Sequence, residues 1–261
     1  MVGGEGSVEV EVWLVGTAAT TPRPGGLAGA VPTGDVLPGA MLAGAVPSDV
    51  PPDAALAGAV LADDERDRAA RFHRPRDRHA YVAAHTALRV MVGARLGMPA
   101  RDVRFGREPC PLCGGPHGRP TVAGAGDLHI SLSRTEGVAA VALSPAVVGV
   151  DLESTGRAVT LDDLVVALHP AELPAADRQA ALRRWVRKEA YLKGLGTGLG
   201  IDPATVDLSA DPPGWKVLDV PTAPGLLGAV AVRSPAPVAV TVTEVGLHDL
   251  VGRVSPAPAR R

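Results

Sequence analysis

The segment Trp185–Leu199 carries an acid and a base at helical spacing. Trp185, Glu189 and Lys193 recur at i, i+4 and i+8, so on a helix they form one stripe, with Lys188 and Leu192 on the adjacent stripe. Gly194, Gly196 and Gly198 predict the end of that helix and a loop of little side-chain bulk. The chain holds three lysines, Lys188, Lys193 and Lys216, among 26 basic residues, and two of the three sit in this segment. Keeping ammonium groups here, where arginine serves elsewhere, hints at a chemical constraint.

A second acidic feature precedes it. Val147-Val-Gly-Val-Asp-Leu-Glu153 reads as an apolar strand that ends on two acids. Alternate residues of a strand share a face, which sets Asp151 and Glu153 side by side, about 7 Å apart at Cα. Paired carboxylates of this kind suit a hard cation such as Mg²⁺. The alternative is a solvated strand end.

Three further patterns offer anion or metal chemistry. In Gly118-Arg119-Pro120 a glycine lets a ligand approach the backbone, and an arginine beside a rigid proline can be aimed at a phosphate. Ser133-Arg134-Thr135 places two hydroxyls and a guanidinium in one turn, a phosphate cradle or else a hydrogen-bonded turn. Arg66, Arg68, Arg71, Arg74, Arg76 and Arg78 form a basic cluster, either a solvated helix face or an anion site. Cys110-x-x-Cys113 with His117 resembles part of a zinc knuckle, but without a fourth ligand it reads as a turn with reduced thiols.

The elements that must position these residues follow from periodicity and punctuation. Ser7–Val15 alternates as a half-buried strand. Residues 17–57 are dense in Pro and Gly, nearly free of charge, and with Leu56–Val60 include three copies of Leu-Ala-Gly-Ala-Val, a low-complexity insert. Leu61–Met98 is helical territory, broken or restarted at Pro75, with Leu61, Ala69, Phe72, Tyr81, Leu88 and Val92 on apolar faces. Asp102–Gly106 predicts a short strand. Leu128–Gly137 and Val138–Leu143 predict a hairpin. Thr160 caps a helix that ends at His169-Pro170, and a further helix runs from about Ala175 to Leu195. Strands follow near Trp215–Val220, Leu227–Val232 and Val238–Val245, and the tail from Ser255 frays.

Composition bounds the function. A hydrophobic content of 46% over 261 residues supports a folded core. A net charge of −2 and 3% aromatics argue against nucleic-acid binding. No apolar run spans a bilayer and no secretory leader is present, so the expected location is cytoplasmic, without a membrane partner.

Taken in order, Gly149-Val-Asp-Leu-Glu153 and Trp185-x-x-Lys-Glu-Ala-x-x-Lys193, with Gly118-Arg119-Pro120 and Ser133-Arg134-Thr135 upstream, resemble the Sfp-type 4′-phosphopantetheinyl transferase family. The resemblance covers roughly Leu61 to the last strand. It implies an α/β (α+β) fold of two similar halves related by a pseudo-twofold axis, with coenzyme A and Mg²⁺ (Mn²⁺ the alternative) in the cleft between them. The halves would be residues 1–146 and 147–254, followed by a tail, 255–261.

The implied reaction transfers phosphopantetheine from coenzyme A to a serine of an acyl or peptidyl carrier protein and releases adenosine 3′,5′-bisphosphate. Polyketide or non-ribosomal peptide synthesis is the implied setting, and a monomer the implied state. By position, Asp151, Glu153 and Glu189 match the family's metal carboxylates, with Glu189 also a candidate base, and Lys193 matches its phosphate-contacting lysine. Arg68 falls where the family places a basic residue for the 3′-phosphate, with Arg71 nearby. Gly118, Arg119 and Pro120 match its Gly-Lys-Pro, and Ser133 and Arg134 its Ser-His-Ser. Arg134 replaces a histidine, Thr135 a serine, and Glu65 stands at another basic position. Two other readings are a non-catalytic coenzyme A- or carrier-binding relative and a different Mg²⁺-dependent nucleotide enzyme.

Overall fold

A computed structural model describes residues 7–17, 59–135 and 137–254. The low-complexity insert beyond Thr17 and the tail from Ser255 lie outside the described residues. In chain order the elements are β1 (Val8–Gly16), α1 (Asp63–Ala70), α2 (Pro75–Leu96), β2 (Phe105–Arg107), β3 (Pro120–Val122), β4 (His129–Thr135) and β5 (Val138–Ser144). They continue with β6 (Val148–Ser154), α3 (Leu161–Val165), α4 (Arg178–Leu195), β7 (Trp215–Val220), β8 (Leu226–Arg233), β9 (Val238–Gly246) and α5 (Leu247–Val254). The class is mixed α/β. No described helix is long and apolar enough to cross a membrane.

The chain divides into two compact units, each of discontinuous segments. The first comprises the described residues of Met1–Leu14, Phe105–Glu136 and Ala140–Thr243. It contains the β2–β3 hairpin, an antiparallel sheet in the order β6-β8-β7, and most of a sheet in the order β4-β5-β1-β9. The β6–β8 register sets Asp151 opposite Ala229 and Glu153 opposite Leu227. Helix α4 covers this three-stranded sheet. Asp177 caps it, its side chain accepting from the Ala180 N–H at 2.7 Å. Leu182, Val186 and Ala190 recur every four residues on its buried face and meet Trp215, Val217, Ala229 and Ala231.

Contact between α4 and β6 is unusually close. A Cβ on Gly149 would stand 2.0 Å from the Ala190 carbonyl oxygen and 2.4 Å from the Gly194 nitrogen. The strand backbone therefore touches the helix backbone, and glycine is the side chain that allows it. The helix ends at Gly196 in the left-handed conformation, φ 81°.

A buried ion pair sets the helix from its other flank. Lys188 is fully buried, and its Nζ lies 2.8 Å from Glu172 Oε2. It also donates to the carbonyls of Pro203, at 2.9 Å, and Val206. Glu172 in turn accepts from the backbone N–H groups of Leu208 and His169, at 3.0 and 2.9 Å. One ammonium thus ties α4 to two irregular segments and leaves no buried charge unpaired.

The second unit comprises the described residues of Val15–Arg104, Gly137–Ala139 and Glu244–Arg261. Pro75 occupies the first turn of α2, so it restarts the helical run and does not kink it. Leu61, Ala69, Tyr81 and Val82 are buried together with Phe72 packed against them, as the apolar spacing predicts.

Three local expectations change, and two elements are added. The strand expected at Asp102–Gly106 is Phe105–Arg107, because Ala100–Asp102 forms a 3-10 turn after Pro99. The helix capped by Thr160 stops at Val165, and a second turn begins at Pro170. Helix α4 begins at Arg178, where Asp177 supplies the cap. Strand β3 and helix α5 were not foreseen: one is three residues long, and the other follows a strand with no turn residue except Gly246.

Lys188→Met is expected to cost about 3–5 kcal/mol of unfolding free energy, since Glu172 is left buried and unpaired. Gly149→Ala should cost at least about 3 kcal/mol, the upper end of the overpacking range, because both obstructing atoms are backbone. Urea denaturation of each variant reads both values.

Candidate active site

The close approach of α4 to β6 brings the acids of the strand and the helix together. Asp151 is 5% exposed. Its Oδ1 accepts from Lys193 Nζ at 2.7 Å and from Ser133 Oγ at 2.8 Å. Its Oδ2 is buried and has no protein hydrogen-bond partner. Lys193 also donates to the Val150 carbonyl at 3.1 Å. Glu153, two residues on, forms an ion pair with Arg157.

The electrostatics follow from three carboxylates facing two cations. Burial raises the Glu153 carboxyl above the usual range, and the Asp151 charge raises it further, against the pull of Arg157 and Lys193. Glu189 is raised in the same way, by burial first, then by Asp151 and Glu153, with Lys193 and Arg157 opposing. Asp151, Glu153, Glu189 and Lys193 therefore form one electrostatic cluster.

The set suits a hard cation in two respects. Carboxylate oxygens are the ligands such ions prefer. The lone Asp151 Oδ2 and the mutual repulsion of the acids both favour added positive charge. The three carboxylates are not drawn tightly together, however. Among the described residues, the one group of three such side chains with donor atoms all within 4.8 Å is Cys110, Cys113 and His117.

Strand β4 lies beside β6 through its serines. Ser131 Oγ accepts from the Val150 N–H at 3.0 Å, and Ser133 Oγ from the Leu152 N–H at 3.2 Å. The Ser133 hydroxyl is thus engaged by both the backbone and the side chain of β6. Arg134 alternates away from it and is exposed.

Gly118, Arg119 and Pro120 lead into β3. Arg119 Nε donates to Glu108 Oε2 at 2.9 Å, and its Nη1 to the Gly194 carbonyl at 3.0 Å, near the end of α4. The side chain is held by an acid and a helix terminus. Arg68 and Arg71 are exposed, at the end of α1. The Glu65 carboxylate points inward. Burial would raise it, but hydrogen bonds from His85, Ala62 and Arg89 outweigh that and hold it below the usual carboxylate range. The acid at this position serves an internal ion pair with Arg89.

Sequence reasoning missed Arg157, Glu108 and Glu172, the partners of Glu153, Arg119 and Lys188. Only Arg157 carried a signal, four residues beyond Glu153. The other two meet their partners through a hairpin and an irregular segment. A cleft of about 500 Å³ lined by Gln179, Arg183, Asp219 and the turn before β8 contains none of the clustered acids.

Residues 147–222 match the model of the 4′-phosphopantetheinyl transferase superfamily. The matched stretch runs from the start of β6 past β7 and contains Asp151, Glu153, Glu189 and Lys193. Over 192 residues the chain is 28% identical to the 4′-phosphopantetheinyl transferase HetI of Nostoc sp., an alignment spanning 65% of this chain and 77% of the relative. The motifs, the mixed α/β fold and these two likenesses agree: over residues 147–222 the chain is similar to the 4′-phosphopantetheinyl transferase superfamily.

Proposed function

We propose that the chain transfers the 4′-phosphopantetheine group of coenzyme A to a serine of an acyl or peptidyl carrier protein, with Mg²⁺, releasing adenosine 3′,5′-bisphosphate. The observation that carries this reading is the cluster of Asp151, Glu153, Glu189 and Lys193 where α4 lies against β6. In the transfer, the serine oxygen bonds to the β-phosphorus of the pyrophosphate. The bond to the bridging oxygen breaks, the bisphosphate keeps the electron pair, and the serine proton leaves.

Asp151, Glu153 and Glu189 would hold Mg²⁺, which supplies positive charge against the pyrophosphate. Lys193 offers its ammonium to the leaving phosphate. Glu189 is the candidate to take the serine proton, and its raised carboxyl is better matched to that task than an ordinary one. Ser133 acts as a positioning residue, holding Asp151 Oδ1 while bound to the β6 backbone. Arg119 and Arg134 are assigned to the phosphates of coenzyme A, with Gly118 and Pro120 shaping the approach. For Arg68 and Arg71 the assignment to the 3′-phosphate rests on the resemblance alone. A carrier of polyketide or non-ribosomal peptide synthesis, a cytoplasmic location and a monomeric state belong to the same proposal.

The test is mass spectrometry of apo-carrier proteins incubated with coenzyme A, Mg²⁺ and the protein. A gain of the phosphopantetheine mass, lost on chelation and restored by Mg²⁺, is expected. No gain across several carriers would favour a non-catalytic binding relative. Glu189→Gln should abolish transfer.

The same substitution should stabilise the fold. The raised Glu189 carboxyl means that the native state holds its proton to higher pH than the unfolded chain does. Its ionisation therefore lowers stability as pH rises from the ordinary carboxylate value through the raised one, and the full penalty persists above both. Without Mg²⁺, Glu189→Gln should unfold at a higher temperature than wild type at pH 7.5, and the gap should shrink as the pH falls through that window. A lower melting temperature at pH 7.5 would refute the repulsion.

A further inference from the structure

The turn between β2 and β3 carries a second cluster of ligand-type side chains, chemically unlike the acids on β6. Cys110, Cys113 and His117 bring two sulfurs and one imidazole nitrogen within 4.8 Å of one another. Cys113 Sγ and His117 Nε2 are 3.1 Å apart. Ligands of one tetrahedral Zn²⁺ stand roughly 3.5–3.8 Å apart, given its bond lengths to sulfur and nitrogen. Small side-chain movements therefore bring all three to a common centre.

The backbone is folded around that centre. The Gly114 N–H returns to the Cys110 carbonyl at 2.8 Å, with Gly114 left-handed at φ 72°, so the chain reverses directly after the second cysteine. Cys110 N–H bonds to the Gly115 carbonyl at 2.7 Å, and His117 N–H to the same carbonyl at 2.8 Å. His117 is thereby turned back onto Cys113.

The turn has little else to hold it. Between Pro109 and Gly118 the one buried side chain is that of Cys110, and Leu112 is 54% exposed. A loop of Pro and Gly without a side-chain core gains most from a cross-link. Both cysteines are free thiols. A bridge between them would leave the orientation of His117 unexplained.

We propose that Cys110, Cys113 and His117 form a binding site for a soft divalent cation, Zn²⁺ by ligand type, that clamps the tip of the β2–β3 hairpin. The sulfurs bind as thiolates, so two thiol protons are released, and His117 binds neutral through Nε2. The chain has two cysteines, so no further thiol of its own can fill the fourth position. Cys113 and His117 are exposed, which leaves that position to water. The clamp stabilises the hairpin stem, where the Glu108 N–H bonds to the Arg119 carbonyl at 2.9 Å and the Gly118 N–H to the Glu108 carbonyl at 3.0 Å. It thereby steadies Arg119. The site does not depend on the proposed transfer reaction, and its test needs neither coenzyme A nor a carrier.

The untagged, reduced chain is stripped with chelator and titrated with Co²⁺ and Zn²⁺ under argon. One equivalent of Co²⁺ should bind and give thiolate-to-cobalt charge-transfer absorption, displaced by Zn²⁺ and unaffected by millimolar Mg²⁺. Cys113→Ser and His117→Gln, both at exposed positions, should each weaken Co²⁺ binding roughly 100-fold. Absence of the charge-transfer band in wild type at ten equivalents of Co²⁺ would overturn the site, as would an unchanged affinity in His117→Gln. A Cys110–Cys113 disulfide in freshly isolated protein would overturn it too.

Discussion

The arrangement rests on a contact between two backbones. Where α4 crosses β6, Gly149 lies against Ala190 and Gly194, at distances that a methyl group would violate. Strand side chains alternate, so the face that carries Gly149 also carries Asp151 and Glu153. A helix pressed onto the glycine must pass over the two acids. The flank of α4 beside Ala190 and Gly194 then presents Glu189 and Lys193 to them, one residue before each contact. The glycine of the Gly-x-Asp-x-Glu motif is thus as necessary to the cluster as the acids, though it has no chemistry of its own.

The two lysines of α4 divide the work of holding and acting. Lys188 is sealed from solvent and satisfied by Glu172 and two carbonyls. It anchors the helix on the flank next to Glu189. Lys193 is 28% exposed at its side chain and shares Asp151 with Ser133. Its charge opposes the repulsion that raises Glu153 and Glu189. An ammonium that opposes the repulsion of three acids favours the cluster in a folded chain, and on the proposed reading the same ammonium meets the leaving phosphate.

What was legible in the sequence divides along the same physical line. The helix stripe of Glu189 and Lys193, the strand pair Asp151 and Glu153, the restart at Pro75 and the hairpin β4–β5 were readable because each is local, set by a period of 3.6 or 2 or by a turn. The role of Lys188 was not readable, since its acid comes from a 3-10 turn sixteen residues earlier. Glu65 read as a lost basic position, whereas it is the buried partner of Arg89, twenty-four residues away. The close packing at Gly149 also gave no periodic signal. It depends on what crosses the strand, and sequence distance says nothing of that.

Ser133 illustrates how one residue type can satisfy either reading. As part of a polar turn it suggested a phosphate cradle, but its hydroxyl both accepts from the Leu152 N–H and donates to Asp151. The first bond replaces a rung of strand pairing with a side chain, and Ser131 does the same one pair earlier at Val150. Two hydroxyls therefore join β4 to β6 without an ordinary backbone ladder. The second bond gives that joint a consequence. Asp151 Oδ1 is fully engaged by Ser133 and Lys193, while Oδ2 has no donor. The carboxylate is oriented from one side and open on the other. Such an asymmetry is costly in a buried acid unless positive charge is supplied to the open oxygen. The proposed cation would meet that cost, and a rigid serine joint keeps the open oxygen aimed in one direction.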